Sequence, residues 1–186
     1  MKVLLISGSR NPDGQTARAA GAVLAGVTKA GGSTESIFLP ALKIERCRQC
    51  ENDGWGLCRR EGRCVIEDDL AKVVARIVAA DVLVFATPVY YSDLSESLRA
   101  FLDRLRRTRT FKTTAVSIAG KPALGLCVAG GGGGGAPACC VSLEKVLSTC
   151  GFDVIDMIAA RRQNLPAKLA RLERAGEWLV TCPRTQ

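Results

Sequence analysis

Apolar positions along this chain switch repeatedly between two spacings. Val3 to Ile6 form a continuous apolar run that stops at Gly8, the pattern of a buried strand. Ala20, Val23, Leu24 and Val27 then recur at i, i+3, i+4 and i+7, one face of a helix that Gly31-Gly32 ends. Ile37 to Leu39 predict a short strand. After an irregular stretch from Cys47 to Cys64, Asp68-Asp69 are placed to cap a helix carrying Leu70, Val73, Val74, Ile77 and Val78 on one face. The scheme repeats. Val82 to Ala86 read as a strand buried on both faces, and Leu94, Leu98, Phe101, Leu102 and Leu105 as a helical stripe. Ala123 to Ala129 predict a strand that runs into the glycines Gly130 to Gly135, and Pro137 suits the first turn of the next helix. Leu143, Val146, Leu147 and Cys150 continue that helix to Gly151, Val154 to Ile158 predict a last strand, and Leu165, Leu169, Leu172 and Leu179 a closing helix.

Strands separated by helical patterns predict an α/β fold with a parallel sheet and helices on both faces. With no internal repeat and no linker, residues 1–186 read as one domain carrying a Cys-rich loop insertion at 45–66. The composition agrees: 47% hydrophobic and 24% charged residues suit one well-buried core. No apolar run reaches bilayer length, and the N-terminus reads as a strand rather than a signal peptide. A cytoplasmic location without a membrane partner is expected.

The net charge of +8 comes from scattered basic residues, and with aromatics at 5% there is no platform on which bases could stack. No nucleic-acid partner is expected. Arg104 to Lys112 and Arg161-Arg162 read as solvated helix faces and loops. The absence of histidine excludes a His-based triad and a His metal site, whereas nine cysteines in such a chain point to metal or redox chemistry.

In an open parallel sheet, ligands bind beyond the carboxyl ends of the strands where strand order reverses. The loops after the first, third and fourth strands are therefore the ones to read. The first, Ser7-Gly8-Ser9-Arg10-Asn11-Pro12-Asp13-Gly14-Gln15-Thr16, offers hydroxyls, an amide and a helix N-terminus, a natural phosphate seat. It lacks the Gly-Lys-Ser/Thr ending of a Walker loop and the dinucleotide glycine pattern; the plainer alternative is a polar turn with Thr16 as helix cap. In the second, Thr87-Pro88-Val89-Tyr90-Tyr91-Ser92, adjacent tyrosines form a platform for a ring or merely cover the edge of the core. The third is the glycine run, where backbone approaches a ligand closely unless it serves only as a flexible link.

These segments resemble the flavodoxin-like NADPH-dependent FMN reductases, including the iron–sulfur flavoproteins. The likeness is carried by Gly8-Ser9 through Gly14-Gln15-Thr16, by Pro88-Val89-Tyr90 with Leu98 to Arg104, and by Cys47-Arg48-Gln49-Cys50 ending in Cys64-Val65-Ile66-Glu67-Asp68-Asp69. The resemblance implies a flavodoxin-like three-layer sandwich with a five-stranded parallel sheet in the order 2-1-3-4-5. It implies FMN rather than FAD, with Ser9, Arg10, Gln15 and Thr16 at the phosphate. Pro88, Val89, Tyr90 and Tyr91 would flank the ring, and Gly130, Gly131 and Gly132 its polar edge. Arg10 and Asn11 depart from the family's usual proline and basic residue. NAD(P)H would be the co-substrate and a flavin, quinone, nitro or azo compound the small-molecule acceptor. The flavin carries the reaction, so no catalytic side chain is assigned. A homodimer or homotetramer is expected.

Cys47, Cys50, Cys58 and Cys64 have the spacing C-x2-C-x7-C-x5-C. Such thiols suit an iron–sulfur cluster or zinc, yet Asp53 stands where the iron–sulfur members place their third cysteine, so free thiols or disulfides are the alternative. Two further functional readings follow: an electron carrier between a ferredoxin-like protein and FMN, and a non-catalytic zinc-binding interaction module. Cys139 and Cys140 lie near a helix N-terminus, which activates thiols, but read first as small buried apolar residues.

Overall fold

The computed structural model describes residues 1–109 and 118–181. Its strands are β1 (Lys2–Ser7), β2 (Ser33–Phe38), β3 (Val82–Pro88), β4 (Pro122–Ala129) and β5 (Asp153–Arg161). All pair in parallel in the order β2-β1-β3-β4-β5, the flavodoxin-like order. The helices are α1 (Gln15–Lys29), the short α2 (Leu57–Arg60), α3 (Leu70–Ala79), α4 (Glu96–Thr108), α5 (Ala136–Thr149) and α6 (Leu165–Thr181).

Two apolar layers hold the sheet between them. On one face Leu4, Ile6, Leu83 and Phe85 pack against α3, α4 and α5 through Ile77, Leu98, Phe101 and Leu143. On the other, Val3, Leu5, Val84 and Leu126 pack against α1 and α6 through Val23, Val27, Leu172 and Leu179. Burial of each such side chain contributes roughly 1.5–3 kcal/mol. Helices α1 and α6 touch backbone to backbone: a Cβ on Gly26 would collide with the Glu173 carbonyl oxygen, and one on Gly176 with that of Val23.

The edge strands are longer than the apolar pattern predicts. β2 begins at Ser33, not Ile37, because an edge strand needs only one pairing partner and leaves Ser33, Thr34 and Ser36 in solvent. Leu39, expected in that strand, starts a 3-10 turn with Pro40. β5 likewise extends to Arg161 along an exposed edge.

One reading is overturned. Arg104 is not solvated but 1% exposed. Its guanidinium donates to both carboxylate oxygens of Asp68, at 2.5 and 3.1 Å, and to the carbonyls of Glu45 and Ile66. Burial alone would raise the Asp68 pKa; the Arg104 guanidinium, with the backbone N–H groups of Glu45 and Leu70, holds it below the usual carboxylate range. Residues 110–112 of the same basic run lie outside the described residues. Among the described residues no helix is long and apolar enough to cross a membrane.

Candidate functional site

The loops after β1, β3 and β4 meet at one end of the sheet and are tied together mostly by backbone. The Gly8 N–H donates to the Ala86 carbonyl at 2.8 Å, and the Val89 N–H to that of Val128 at 3.1 Å. Glycine is required at position 8, where a Cβ would strike Ser95 Oγ. Ser97 Oγ donates to the Gly8 carbonyl at 3.2 Å, and the Ser95 N–H to Thr87 Oγ1 at 3.0 Å. On the far side, Gly135 at φ 79° lies against Ser92 and opens α5, with Pro137 in the first turn as expected.

In the first loop, Ser9 is buried and its hydroxyl donates to the Asn11 carbonyl. Gly14, not Thr16, is the N-cap of α1, and no side chain caps it. The N–H groups of the first turn are thus left for a ligand, the arrangement that binds phosphate at helix N-termini. Thr16 is buried in this turn, Gln15 is half-buried beside it, and Arg10 points out toward Glu96 at 3.4 Å.

In the second loop, Tyr90 to Asp93 close a tight turn through reciprocal bonds, Tyr90 N–H to the Asp93 carbonyl and Asp93 N–H to that of Tyr90. Tyr91 and Ser92 sit at φ 51° and 65°, a left-handed backbone that non-glycine residues adopt at a cost and that concentrates at functional sites. The turn presents Tyr91 fully to solvent and Tyr90 at 43%. Its brace is Arg99, which holds both Asp93 oxygens at 2.5 and 2.6 Å. Burial would raise the Asp93 pKa, but the Leu94 N–H and Arg99 keep it low. Pro88 and Val89 are half-buried at its base.

The third loop leaves room. At Gly130, Gly131, Gly132 and Gly134 an added Cβ would meet nothing within 4 Å, and none has a positive φ. Neither packing nor backbone conformation within the protein demands glycine there. A bare, open backbone beside a helix N-terminus and an exposed aromatic turn is the cradle that a phosphate-bearing, flat-ringed ligand needs, so the residues present fit FMN.

A pocket of about 700 Å³ opens beside Tyr90 and Tyr91, with Arg10, Arg46, Cys47 and Arg99 in its walls and Leu94 in its lining. That volume suits a small organic substrate. Sequence reasoning quoted Thr87 and Arg99 within their segments but gave them no role, and it missed Asp93, Ser95 and Ser97, which set the loop's shape; the serine-rich run Ser92 to Ser97 after a buried strand was the available signal. Arg46, read only with the cysteines, also reaches the pocket beside Tyr90.

The cysteine segment packs on α4. Besides Arg104, Arg107 donates to the Gly54 carbonyl and lies over the Trp55 ring at 4.7 Å. Cys47, Cys50, Cys58 and Cys64 line one small cavity with Arg104 and Arg107. Among the described residues, however, no three His, Cys, Asp or Glu side chains are grouped to hold a metal ion. Elsewhere Cys139 and Cys140 are buried, as the plainer reading has it, and hydrogen bonds to them, together with burial, push the Cys127 thiol pKa up.

Fold and site together define a flavodoxin-like protein with a ligand cradle at the switch point of its sheet. Residues 1–163 match the NADPH-dependent FMN reductase family, and the chain belongs to it. It is 31% identical over 125 residues to an iron–sulfur flavoprotein of Methanocaldococcus jannaschii, a match covering 67% of this chain and 62% of that one. It is 36% identical over 107 residues to an FMN-dependent NADH:quinone oxidoreductase of Thiobacillus denitrificans, covering 54% and 52%. The matched region spans 62, 56 and 46% of three curated iron–sulfur flavoproteins. In fold it is similar to an NAD(P)H:quinone oxidoreductase from Methanothermobacter marburgensis, with a TM-score of 0.74 at 22% identity over 100% of this chain and 99% of that one.

Proposed function

We infer that this chain binds FMN and uses it to pass electrons from NAD(P)H to a small acceptor, with quinones the leading class. The observation that carries the reading is the open glycine backbone of residues 130–132 and 134, which shares one end of the parallel sheet with the uncapped start of α1 and the Tyr90–Asp93 turn. Ser9, Gln15, Thr16 and the first-turn N–H groups of α1 would hold the phosphate, with Arg10 at the rim. Pro88, Val89, Tyr90 and Tyr91 would flank the ring, and Gly130 to Gly132 its polar edge. Bound FMN supplies a hydride acceptor that can release its electrons to a second substrate. The protein's part is placement: Arg99 and Asp93 fix the turn that bears Tyr91, and the pocket beside it receives nucleotide and acceptor in turn. The quinone oxidoreductase of Thiobacillus denitrificans supports that acceptor class.

The test is anaerobic mixing of the FMN-loaded protein with NADH or NADPH. The expected outcome is bleaching of the flavin and its restoration by an added quinone. Reduction no faster than background with both nucleotides would refute the reading, and extraction of FAD instead of FMN would refute the cofactor assignment. The alternative of a cluster-bearing electron carrier draws support from relatives named iron–sulfur flavoproteins and from the shared cavity of the four thiols. The ungrouped sulfurs give it less support than the flavin site enjoys.

A further inference from the structure

The four thiols of the cysteine segment are gathered without being arrayed around a centre. Cys47, Cys50, Cys58 and Cys64 share, with Arg104 and Arg107, a cavity of about 20 Å³, which is room for roughly one water molecule. All four remain within reach of solvent, Cys50 exposed and the others half-buried. Gln49, inside the C-x2-C turn, is held at φ 52°, a third left-handed non-glycine residue beside the two of the Tyr90–Asp93 turn. Beneath them the buried Arg104 guanidinium lies against Cys64, and its Nε has no hydrogen-bond partner. Its terminal nitrogens are taken up by Asp68, so the guanidinium anchors this floor of the cavity as half of an ion pair. Cys47 belongs to two spaces at once, because it also lines the large pocket beside Tyr90 and Tyr91.

We propose that Cys47 and one of its three neighbours form a reversible dithiol–disulfide pair through which this chain reduces small-molecule disulfides. The proposal rests on the FMN reading above, which supplies the electrons. Cys47, as thiolate, attacks one sulfur of the substrate disulfide; that S–S bond breaks, and the departing sulfur takes up a proton as the first thiol product. The second loop thiol, deprotonated in turn, attacks the Cys47 sulfur of the mixed disulfide and releases the other half as the second thiol. The protein is left with an internal disulfide. Returning it to two thiols takes two electrons and two protons: a hydride equivalent from NAD(P)H by way of the bound cofactor, and one proton from solvent. The sum is NAD(P)H, one proton and one disulfide going to NAD(P)⁺ and two thiols. A metal or cluster on the same sulfurs would exclude this chemistry.

The experiment uses the FMN-loaded full chain, treated with oxidised glutathione, freed of excess reagent and titrated anaerobically with dithionite. The expected uptake is four electrons per chain, two for the flavin and two for the disulfide, falling to two in Cys47→Ser. Peptide mapping of the treated wild type, which needs no variant, should find Cys47 joined to Cys50, Cys58 or Cys64, and the link gone after NADPH. Uptake of two electrons by the treated wild type, a disulfide that omits Cys47, or stoichiometric iron, sulfide or zinc on these thiols would each overturn the proposal. If quinone turnover persists while the thiol readouts are negative, this inference alone fails. If the purified protein takes up no FMN, both readings fall.

Discussion

The two functional regions are built by different means. At the end of the sheet, strand termini and glycines do the work: Gly8 and Val89 bond across to the neighbouring strands, and the open backbone at Gly130 to Gly132 needs no side chain to shape it. In the cysteine segment the backbone is irregular, and order comes from arginines of α4 reaching down into it: Arg104 to Asp68, Glu45 and Ile66, Arg107 to Gly54 and Trp55. A site built on strand ends inherits the rigidity of the sheet. One built on side chains depends on a few polar bonds, and a single substitution can release it.

The largest expected effect therefore falls on the cysteine segment. Arg104→Ala leaves Asp68 buried and unpaired and should destabilise the protein by about 3–5 kcal/mol, measured by urea unfolding. The double variant Arg104→Met/Asp68→Leu, which removes both charges, should recover most of that loss. The same pair has a pH signature. The folded Asp68 pKa lies below its unfolded value, so its contribution is complete above about pH 4 and is lost as pH falls through the folded pKa. Wild type and Asp68→Asn should accordingly converge in stability on acidification and differ most near neutrality.

The flavin side should respond in binding rather than in folding. Thr16→Ala should weaken FMN by about 1.5–3 kcal/mol if its hydroxyl meets the phosphate; an unchanged FMN Kd would remove it from the seat. Gly131→Val is the sharper probe, because no protein atom lies within 4 Å of the Cβ it would add. Stability should stay within about 0.5 kcal/mol, while FMN affinity falls tenfold or more, about 1.4 kcal/mol. Equal losses in folding and binding would mean that the glycine serves packing. The smallest effect belongs to Arg10–Glu96, at 3.4 Å with both side chains 72% exposed. Glu96→Gln should leave the unfolding midpoint nearly unmoved, as exposed pairs do.

How far each region could be read in the sequence follows from the same contrast. The strand and helix alternation, the three loops and the open glycines are local signals: an apolar run such as Val82 to Ala86, or a run of glycine before Pro137, carries its meaning in a few neighbouring residues. β2 was half legible, because its polar residues Ser33 to Ser36 are strand by pairing and not by hydrophobicity. Arg104 was not legible at all. It stands among Arg99, Arg106 and Arg107 with nothing local to set it apart, and its partner Asp68 is 36 residues away. The left-handed turn at Tyr91 and Ser92 was hidden for a similar reason, since the brace from Arg99 to Asp93 and the contact with Gly135 that help hold it are distant in sequence.

The seam between α1 and α6 has a consequence for anyone screening variants of this protein. Gly26 lies eleven residues along α1 from Gln15, about 16 Å at helical rise, and touches no part of the cradle. Yet any side chain at Gly26 or Gly176 must push α1 off its neighbour's backbone, and α1 carries the proposed phosphate seat at its other end. In a mutational scan scored by yellow colour, these two remote glycines should therefore sort with the cofactor loop, as pale variants whose lesion is one of leverage.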